Sequence, residues 1–370
     1  MQRGEVMVAV PANIIDFTAE QILGIKADNP EALFQPDLAA VTRDFRALAK
    51  KWHPDINKDP QASDVQKHIF ELREKAEEKL ACGAWQEAGY FTCRLTNGKK
   101  FRVRADASHK FELGTMHISP TTITYVVDRA YADLFRNAVD VCRSLKFADD
   151  KKHKLFGDAE RTMKEVYAPR LPTEFKTYET ADSLILTVRK GTEDILLRDL
   201  KAHLPKKNLD RHVAWMMSRL HELTRYLDYA GIAHNGIALD TVFISPCNHT
   251  ASLFGGWWYA TPLNKTIKAV SAVAEEFLSE KTLDTGKPDP KVDLEMMRAV
   301  GRELLGDRGG TSLAFKKAAP PGMLDYLRLP SSGDAQKDLT HWYDDVLQKS
   351  FGARRFIELK VKYSDVYQPK

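Results

Sequence analysis

Cysteine is scarce in this chain, and no uncharged apolar segment is long. The four cysteines lie far apart, with neither a Cys-X-X-Cys pair nor a histidine at zinc-finger spacing, which favours free, mostly buried thiols in a reducing compartment. No apolar run approaches the roughly 20 residues that span a bilayer. Asp16 and Glu20 interrupt the weakly apolar start, so no signal peptide is predicted. We therefore expect a cytoplasmic protein without a membrane partner.

The chain also lacks a strong excess of one charge. Its 55 lysines and arginines are nearly balanced by 51 aspartates and glutamates, which is unlike the clustered basic surface of a dedicated nucleic-acid binder. No Gly-X-Ser-X-Gly and no His-Glu-X-X-His motif occurs, which argues against the common serine-hydrolase and zinc-protease sites. With 370 residues, 43% of them hydrophobic, the chain can form two or three domains with cores of their own.

Hydrophobic periodicity predicts an α+β protein with a helical module, a small sheet-rich lobe and a larger helical lobe. Asn97-Gly98 separates two alternating runs and predicts a β-hairpin. Strands are expected over 91–95, 101–104, 123–127, 173–180 and 183–189. Helices are expected over 38–51, 63–80, 130–168 and 209–230. The stripe on the last of these helices predicts core positions at Val213, Met217, Leu220, Leu223 and Leu227.

The helix predicted over 38–51 has an apolar face and a basic face. Its apolar stripe consists of Val41, Phe45, Leu48 and Trp52. Its basic residues are Arg43, Arg46, Lys50 and Lys51. By itself such a charge stripe is typical of a solvated helix surface. Pro54 ends the helix because it lacks an amide donor and disfavours helix at the preceding residue, which leaves His53-Pro54-Asp55 in a loop between two helices.

The segment from Phe45 to Asp55 resembles the second helix and the His-Pro-Asp loop of the J domain of the DnaJ family. Residues 16–25 resemble the opening helix of that domain, and residues 26–37 form a longer connection than in most members. The resemblance implies a J domain over 14–85 whose partner is a DnaK-type heat-shock chaperone. It implies that the basic face docks on an acidic surface of the chaperone while the loop, through Asp55, promotes ATP hydrolysis. The residues to which it gives these roles are Arg43, Arg46, Lys50, Lys51, His53, Pro54 and Asp55.

No Gly/Phe-rich linker and no cysteine-rich module follows, so another domain must select the client. Residues 229–243, between a long apolar helix and a short strand, resemble the catalytic loop of the protein-kinase fold. This resemblance covers most of 88–370 and implies a bilobal fold, with an N-lobe over 86–188 and a C-lobe over 189–370.

The charged positions of a kinase site are vacant in this chain. If His234 takes the histidine position of the family, Gly236 replaces the catalytic aspartate, Ala238 the loop lysine and Thr241 the metal-binding asparagine. Leu253 or Gly256, depending on the alignment, stands at the second metal-binding aspartate. Asp128 lies at the position where the kinase fold has a lysine after its third strand. Gly114 is the only glycine at the position of the glycine-rich loop of that fold. The resemblance thus implies a pseudokinase with no catalytic residue, metal or cofactor.

One kinase-like feature remains, Asp293, which the resemblance predicts to be buried and to hold the 234–236 loop by hydrogen bonds. The alternative is a surface aspartate near a helix start. The expected function is that of a co-chaperone whose kinase-like body recruits an unidentified protein client or complex. Two alternatives are an atypical phosphotransferase or nucleotidyl transferase, for which the loops 234–243 and 252–260 offer only Asp240 as a carboxylate, and a nucleotide-sensing module.

Overall fold

The computed structural model describes residues 14–35, 37–82, 85, 89–148, 152–154, 160–353 and 355–367. The chain divides into two compact units, of which the first comprises residues 1–105, 179–181 and 370, and the second residues 106–178 and 182–369. Both helices and sheets are present, so the α+β class is confirmed. Among the described residues, no helix has the length and apolarity needed to cross a membrane.

In its described residues, the first unit has three α-helices and a hairpin. Its elements are α1 (Ala19–Leu23), α2 (Leu38–Lys51), α3 (Ala62–Cys82), β1 (Tyr90–Arg94) and β2 (Lys100–Arg104). Short 3-10 turns lie at Ile14–Asp16 and Pro30–Ala32.

The second unit begins with a sheet and continues with helices and short strands. Its strands are β3 (Ala107–Phe111), β4 (Gly114–Ile118), β5 (Thr122–Asp128), β6 (Lys152–Lys154), β7 (Glu160–Thr162), β8 (Phe175–Glu179), β9 (Ser183–Arg189), β10 (Ile195–Leu196), β11 (Ile232–Ala233), β12 (Val242–Ser245), β13 (Thr250–Leu253) and β14 (Thr261–Pro262). Its helices are α4 (Ala132–Arg143), α5 (Met163–Tyr167), α6 (Leu197–Lys201), α7 (Leu209–Ala230), α8 (Ala272–Glu275), α9 (Glu280–Thr285), α10 (Lys291–Leu304), α11 (Leu313–Lys316), α12 (Pro321–Arg328), α13 (Ala335–His341), α14 (Gln348–Phe351) and α15 (Tyr363–Val366). A π-helical turn lies at Trp342–Leu347.

The core of the first unit forms where the sequence predicts it. Helix α2 begins after Asp37, whose carboxylate accepts a hydrogen bond from the amide of Ala40 at 2.8 Å. The predicted stripe is buried, and it packs with the buried stripe of α3. The buried side chains of the two helices and of the α2 end include Val41, Phe45, Leu48, Trp52, Val65, Ile69, Leu72 and Ala76. Trp85 belongs to the same cluster.

The opening helix is shorter than predicted. Thr18 and Gln21 form a reciprocal capping box, which sets the start of α1 after Thr18 because the cap itself is not helical. The longer connection that follows is held on α3 by two side chains. His68 Nε2 lies 2.7 Å from the carbonyl oxygen of Ile25, and Lys79 Nζ lies 3.0 Å from the Glu31 carboxylate. The added residues are therefore fixed by long-range contacts.

The predicted hairpin is confirmed. The Asn97-Gly98 turn joins β1 and β2, which pair antiparallel from Tyr90 opposite Arg104 to Arg94 opposite Lys100. Gly98 has a φ of 79°, a conformation that glycine adopts without steric cost. The hairpin lies within the first unit, whereas the sequence analysis grouped it with the sheet-rich lobe.

The main sheet has five antiparallel strands in the order β3-β4-β5-β9-β8. The predicted strands over 123–127, 173–180 and 183–189 correspond to β5, β8 and β9. Strands β3 and β4 were not predicted, since their residues lack a clear apolar alternation. The helix predicted over 130–168 is wrong in its middle: α4 ends at Arg143, β6 and β7 intervene, and a new capping box of Thr162 with Glu165 begins α5.

The helical part of the second unit packs around α7, whose bounds agree with the prediction. All five stripe residues on α7 are buried. Helix α10 approaches α7 closely at Gly301, where a Cβ would lie 2.8 Å from both Met217 Sδ and Leu327 Cδ2. The thiols agree only in part with the expected burial, since Cys142 is buried but Cys247 is exposed.

Candidate functional site

The His53-Pro54-Asp55 segment forms a turn fixed by its own hydrogen bonds. The amides of Ile56 and Asn57 donate to the carbonyl oxygen of His53 at 2.9 and 2.8 Å, and the amide of Asp55 donates to His53 Nδ1 at 3.2 Å. The Asp55 side chain is 87% exposed. The turn therefore fixes the backbone at Asp55 and leaves its carboxylate exposed to solvent.

Asn57 supports this turn, although the sequence analysis gave it no role. Its side-chain amide donates to the carbonyl oxygen of Lys51 at 3.0 Å. That carbonyl is in the last turn of α2, where main-chain acceptors lack a partner within the helix. Asn57 thus links the residues after the turn to the end of α2. In the sequence, an asparagine a few residues after a helix end could have indicated this contact.

The four basic residues of α2 have two different environments. Arg43, Arg46 and Lys50 are exposed, and Arg43 Nε contacts Asp44 Oδ1 at 2.9 Å. Lys51 Nζ instead donates to the carbonyl oxygens of Ile15 and Phe17 at 2.5 and 2.8 Å. Lys51 therefore holds the segment before α1. The sequence could not reveal this contact, because it joins residues far apart in the chain.

In the second unit, the 234–236 loop is bound to Asp293. Asp293 lies in the first turn of α10 and is buried. Its two carboxylate oxygens accept hydrogen bonds from the amides of His234 at 2.6 Å and Asn235 at 2.7 Å. The predicted burial and hydrogen bonds are confirmed, and the alternative of a surface aspartate is wrong. Burial raises the pKa of Asp293 to about 7, although both amide hydrogen bonds act to lower it.

Gly236 and Gly256 lie close together and leave little space for side chains beside this loop. A Cβ at Gly236 would lie 3.0 Å from the carbonyl oxygen of Gly256. Gly256 has a φ of 80°, and a Cβ there would lie 2.7 Å from Cε1 of His234. Position 236, which the sequence comparison aligned with the catalytic aspartate of a kinase, therefore accommodates a methyl group only if the neighbouring backbone shifts slightly.

The other residues of the loop have structural contacts. The Thr241 hydroxyl donates to the carbonyl oxygen of Gly236 at 2.6 Å and accepts from the amide of Ala238 at 2.9 Å. His234 is buried with its ring edge against Trp257, at 4.8 Å between centroids and 88° between planes. Burial lowers the pKa of His234 to about 3, so its ring is neutral. Leu253 is buried in the core.

An aromatic cluster, formed by Phe111, Tyr125, Trp258 and Tyr259, joins the main sheet to the segment after β13. Phe111 stacks on Trp258 at 4.8 Å, and Tyr125 meets the same indole edge-on at 5.2 Å. The Tyr259 hydroxyl donates to the carboxylate of Glu112. A Cβ at Gly255 would lie 3.1 Å from the Tyr125 hydroxyl. The sheet and the loop region are thus packed together by rings.

The remaining positions that were compared with a kinase site also have structural roles. Asp128 caps the turn that follows β5, since its carboxylate accepts from the amide of Ala130 at 2.9 Å. Gly114 follows a two-residue turn, and a Cβ there would lie 2.0 Å from the carbonyl oxygen of Val126. Asp240 is exposed, and its carboxylate lies 3.4 Å from Arg198. Within the described ranges, no group of three or more His, Cys, Asp or Glu side chains could hold a metal ion.

A search against models of known protein families found no match for this chain, and a search of curated proteins found none either.

Substitution of Asp293 by alanine should reduce the free energy of unfolding by about 1–3 kcal/mol, because two buried amides lose their acceptor. Chemical denaturation followed by circular dichroism would measure the loss. Asp284, which is exposed on α9, provides the matched control, and Asp284→Ala should change the value by less than about 0.5 kcal/mol. Equal effects of the two substitutions would contradict the role assigned to Asp293.

Proposed function

We propose that this protein is a J-domain co-chaperone that stimulates ATP hydrolysis by a DnaK-type chaperone in the cytoplasm. We further propose that its second unit is a catalytically inactive, kinase-like body that recruits a protein client. The observation that carries the first proposal is the exposed Asp55 carboxylate, held by a turn next to the exposed cations of α2.

The basic face and the turn would act one after the other when the chaperone binds. Arg43, Arg46 and Lys50 are exposed on one face of α2, and complementary charge of this kind accelerates encounter and fixes orientation. Asp55 then engages the chaperone as a positioned acceptor, with little loss of conformational freedom because His53 and the turn already hold its backbone. Lys51 contributes indirectly, through its contacts with Ile15 and Phe17.

The kinase-like interpretation of the second unit is supported by the order of its parts and by Asp293. A small antiparallel sheet precedes a helical region, and a buried carboxylate holds the loop that the resemblance places at the catalytic position.

Phosphoryl transfer requires a carboxylate to orient the acceptor, a lysine on the phosphates and oxygen ligands for magnesium. Gly236, Ala238 and Leu253 offer none of these, and the aromatic cluster occupies the junction between sheet and loop. The second unit is therefore better suited to binding a protein than to transferring phosphate.

Purified protein should raise the steady-state ATPase rate of a cognate DnaK-type chaperone, and Asp55→Asn should abolish the increase without unfolding the protein. The carboxamide keeps the size of the side chain but removes its charge. Asp64→Asn, at an exposed position in α3, is the matched control and should retain stimulation. Full stimulation by Asp55→Asn would refute the proposed mechanism.

Reversal of charge at Arg46 and Lys50 together should weaken stimulation, and stimulation by the wild type should decline with added salt. The reason is that exposed charges are screened over roughly 8–10 Å at physiological ionic strength. ATPase titrations at several salt concentrations would measure both effects. Lys67→Glu with Lys99→Glu makes the same change at exposed positions elsewhere in the first unit and should leave stimulation unchanged. Stimulation that is insensitive to salt would contradict an electrostatic docking face.

No transfer of phosphate from radiolabelled ATP is expected with magnesium or manganese, either to the protein itself or to generic acceptors. Gly236→Asp should not create activity, because Ala238, Thr241 and Leu253 would still leave the lysine and metal-ligand positions without suitable side chains. ATP should also leave the melting temperature unchanged. A ligand that binds the folded state raises the melting temperature as its concentration exceeds its dissociation constant, so an unchanged value means that ATP does not bind. If phosphate labelling is observed and a substitution in the 234–241 loop abolishes it, the second unit is a phosphotransferase instead.

A further inference from the structure

The second unit contains a cleft of about 830 Å³ away from the 234–241 loop. Its walls come from the beginning of α7, from the turn between β12 and β13, and from the segment around 351–357. Gly236, Ala238, Thr241 and Leu253 do not line it. Its volume is within the range of about 300–1,000 Å³ that is usual for binding pockets.

Arginines are the most numerous charged residues that line this cleft, and three of them have no carboxylate partner among the described residues. The arginines that line it are Arg161, Arg170, Arg211, Arg219 and Arg355. Buried Glu222 forms ion pairs with Arg170, at 3.0 Å, and with Arg219. Arg161, Arg211 and Arg355, in contrast, have no carboxylate partner in the part of the chain that the structure describes, although Arg211 lies over the Phe351 ring at 5.1 Å. Glu165 and Asp194 also line the cleft, but the five arginines outnumber these two carboxylates and that of Glu222, so the cleft keeps an excess of positive charge that suits a negatively charged ligand.

Three stacked rings form one side of the cleft. His249 lies between Trp215, at 4.4 Å and 14°, and Phe356, at 4.3 Å and 21°. His249 has a φ of 48°, which is unusual for a residue with a side chain. Phe356 ends the stack and is 76% exposed. The stack thus leaves a large apolar ring available to an aromatic or aliphatic side chain of a partner.

The main chain beside the stack makes few hydrogen bonds within the part of the chain that the structure describes, one of them between the backbone of Ile357 and the His249 ring. Residues 355–361 form neither helix nor strand, and within the described ranges they make no hydrogen bond to another backbone group. Main-chain donors and acceptors are almost always paired, with protein or with water. An extended peptide can form main-chain hydrogen bonds with a segment of this kind next to a cleft, as it does with the edge of a sheet in strand addition. This feature favours a polypeptide ligand over a small molecule.

We propose that this cleft binds an extended, acidic segment of a partner polypeptide that carries an aromatic or large aliphatic side chain. Its main chain would lie along residues 355–361, its apolar side chain against Phe356, and its carboxylates at Arg211 and Arg355. The inference rests on the proposed adaptor role of the second unit, because it assigns a chemistry to the client segment which that unit would recruit.

An array of random short peptides, probed with the full chain, tests this proposal. Binders should be enriched in aspartate and glutamate next to phenylalanine, tyrosine or leucine. With the best peptide, the double substitution Arg211→Glu and Arg355→Glu should weaken binding about tenfold or more, as expected for the loss and reversal of two charge contacts. Arg225→Glu, an exposed position on the same helix outside the cleft, should change the affinity less than about twofold. Amide hydrogen exchange over 355–361 should slow when the peptide binds.

The outcomes distinguish this inference from the proposed co-chaperone function. Absence of acidic enrichment, equal affinity of the double variant, or preferential binding of single-stranded RNA would overturn the peptide site while leaving chaperone stimulation intact. If the full chain binds the peptide but does not raise the ATPase rate of the chaperone, the co-chaperone function is overturned and the peptide site is retained. Asp55→Asn should not affect peptide binding, because Asp55 belongs to the first unit.

Discussion

Two main-chain amides, of His234 and Asn235, donate to one buried carboxylate, that of Asp293, and the centre of the second unit depends on this contact. The hydrogen bonds fix a loop in which Asn235 has a left-handed backbone with a φ of 54°. The fixed loop allows Gly236 and Gly256 to approach within van der Waals contact. A Cβ at Gly236 would lie 3.0 Å from the carbonyl oxygen of Gly256, so a side chain there would require a small shift of the neighbouring backbone. The Asp293 contact thus holds a tightly packed loop.

The first unit combines a rigid turn with freely exposed charge. His53 and Asn57 hold the turn, whereas the Asp55 carboxylate remains in solvent. The cations of α2 are divided in the same way, since Lys51 binds its own chain and Arg43, Arg46 and Lys50 face outward. This division suits the proposed docking on a chaperone. Fixed backbone reduces the entropy lost on binding, and exposed charge attracts a partner over a distance of about 10 Å.

Some of this could be predicted from sequence because the determinants are local. Helices α2 and α7 followed from apolar periodicity, the β1–β2 hairpin from Asn97-Gly98, and the exposed turn from Pro54. The Asp293 contact was predicted from the context of a resemblance. Local patterns failed between Arg143 and Met163, where the chain forms short strands with little apolar alternation, and at β3 and β4. Their stability comes from pairing within the sheet, which no single segment encodes.

The sequence by itself determined the core stripes, the turn with its carboxylate, and the absence of charged side chains at Gly236, Ala238 and Leu253. Tertiary structure alone decided what these residues contact. It brought Lys51 to Ile15 and Phe17, joined Phe111 and Tyr125 to Trp258, and aligned Trp215, His249 and Phe356 beside arginines from distant parts of the chain. The physical reason is that periodicity and turn chemistry act over a few residues, whereas these contacts join residues separated by long stretches of chain and form only when the whole unit packs.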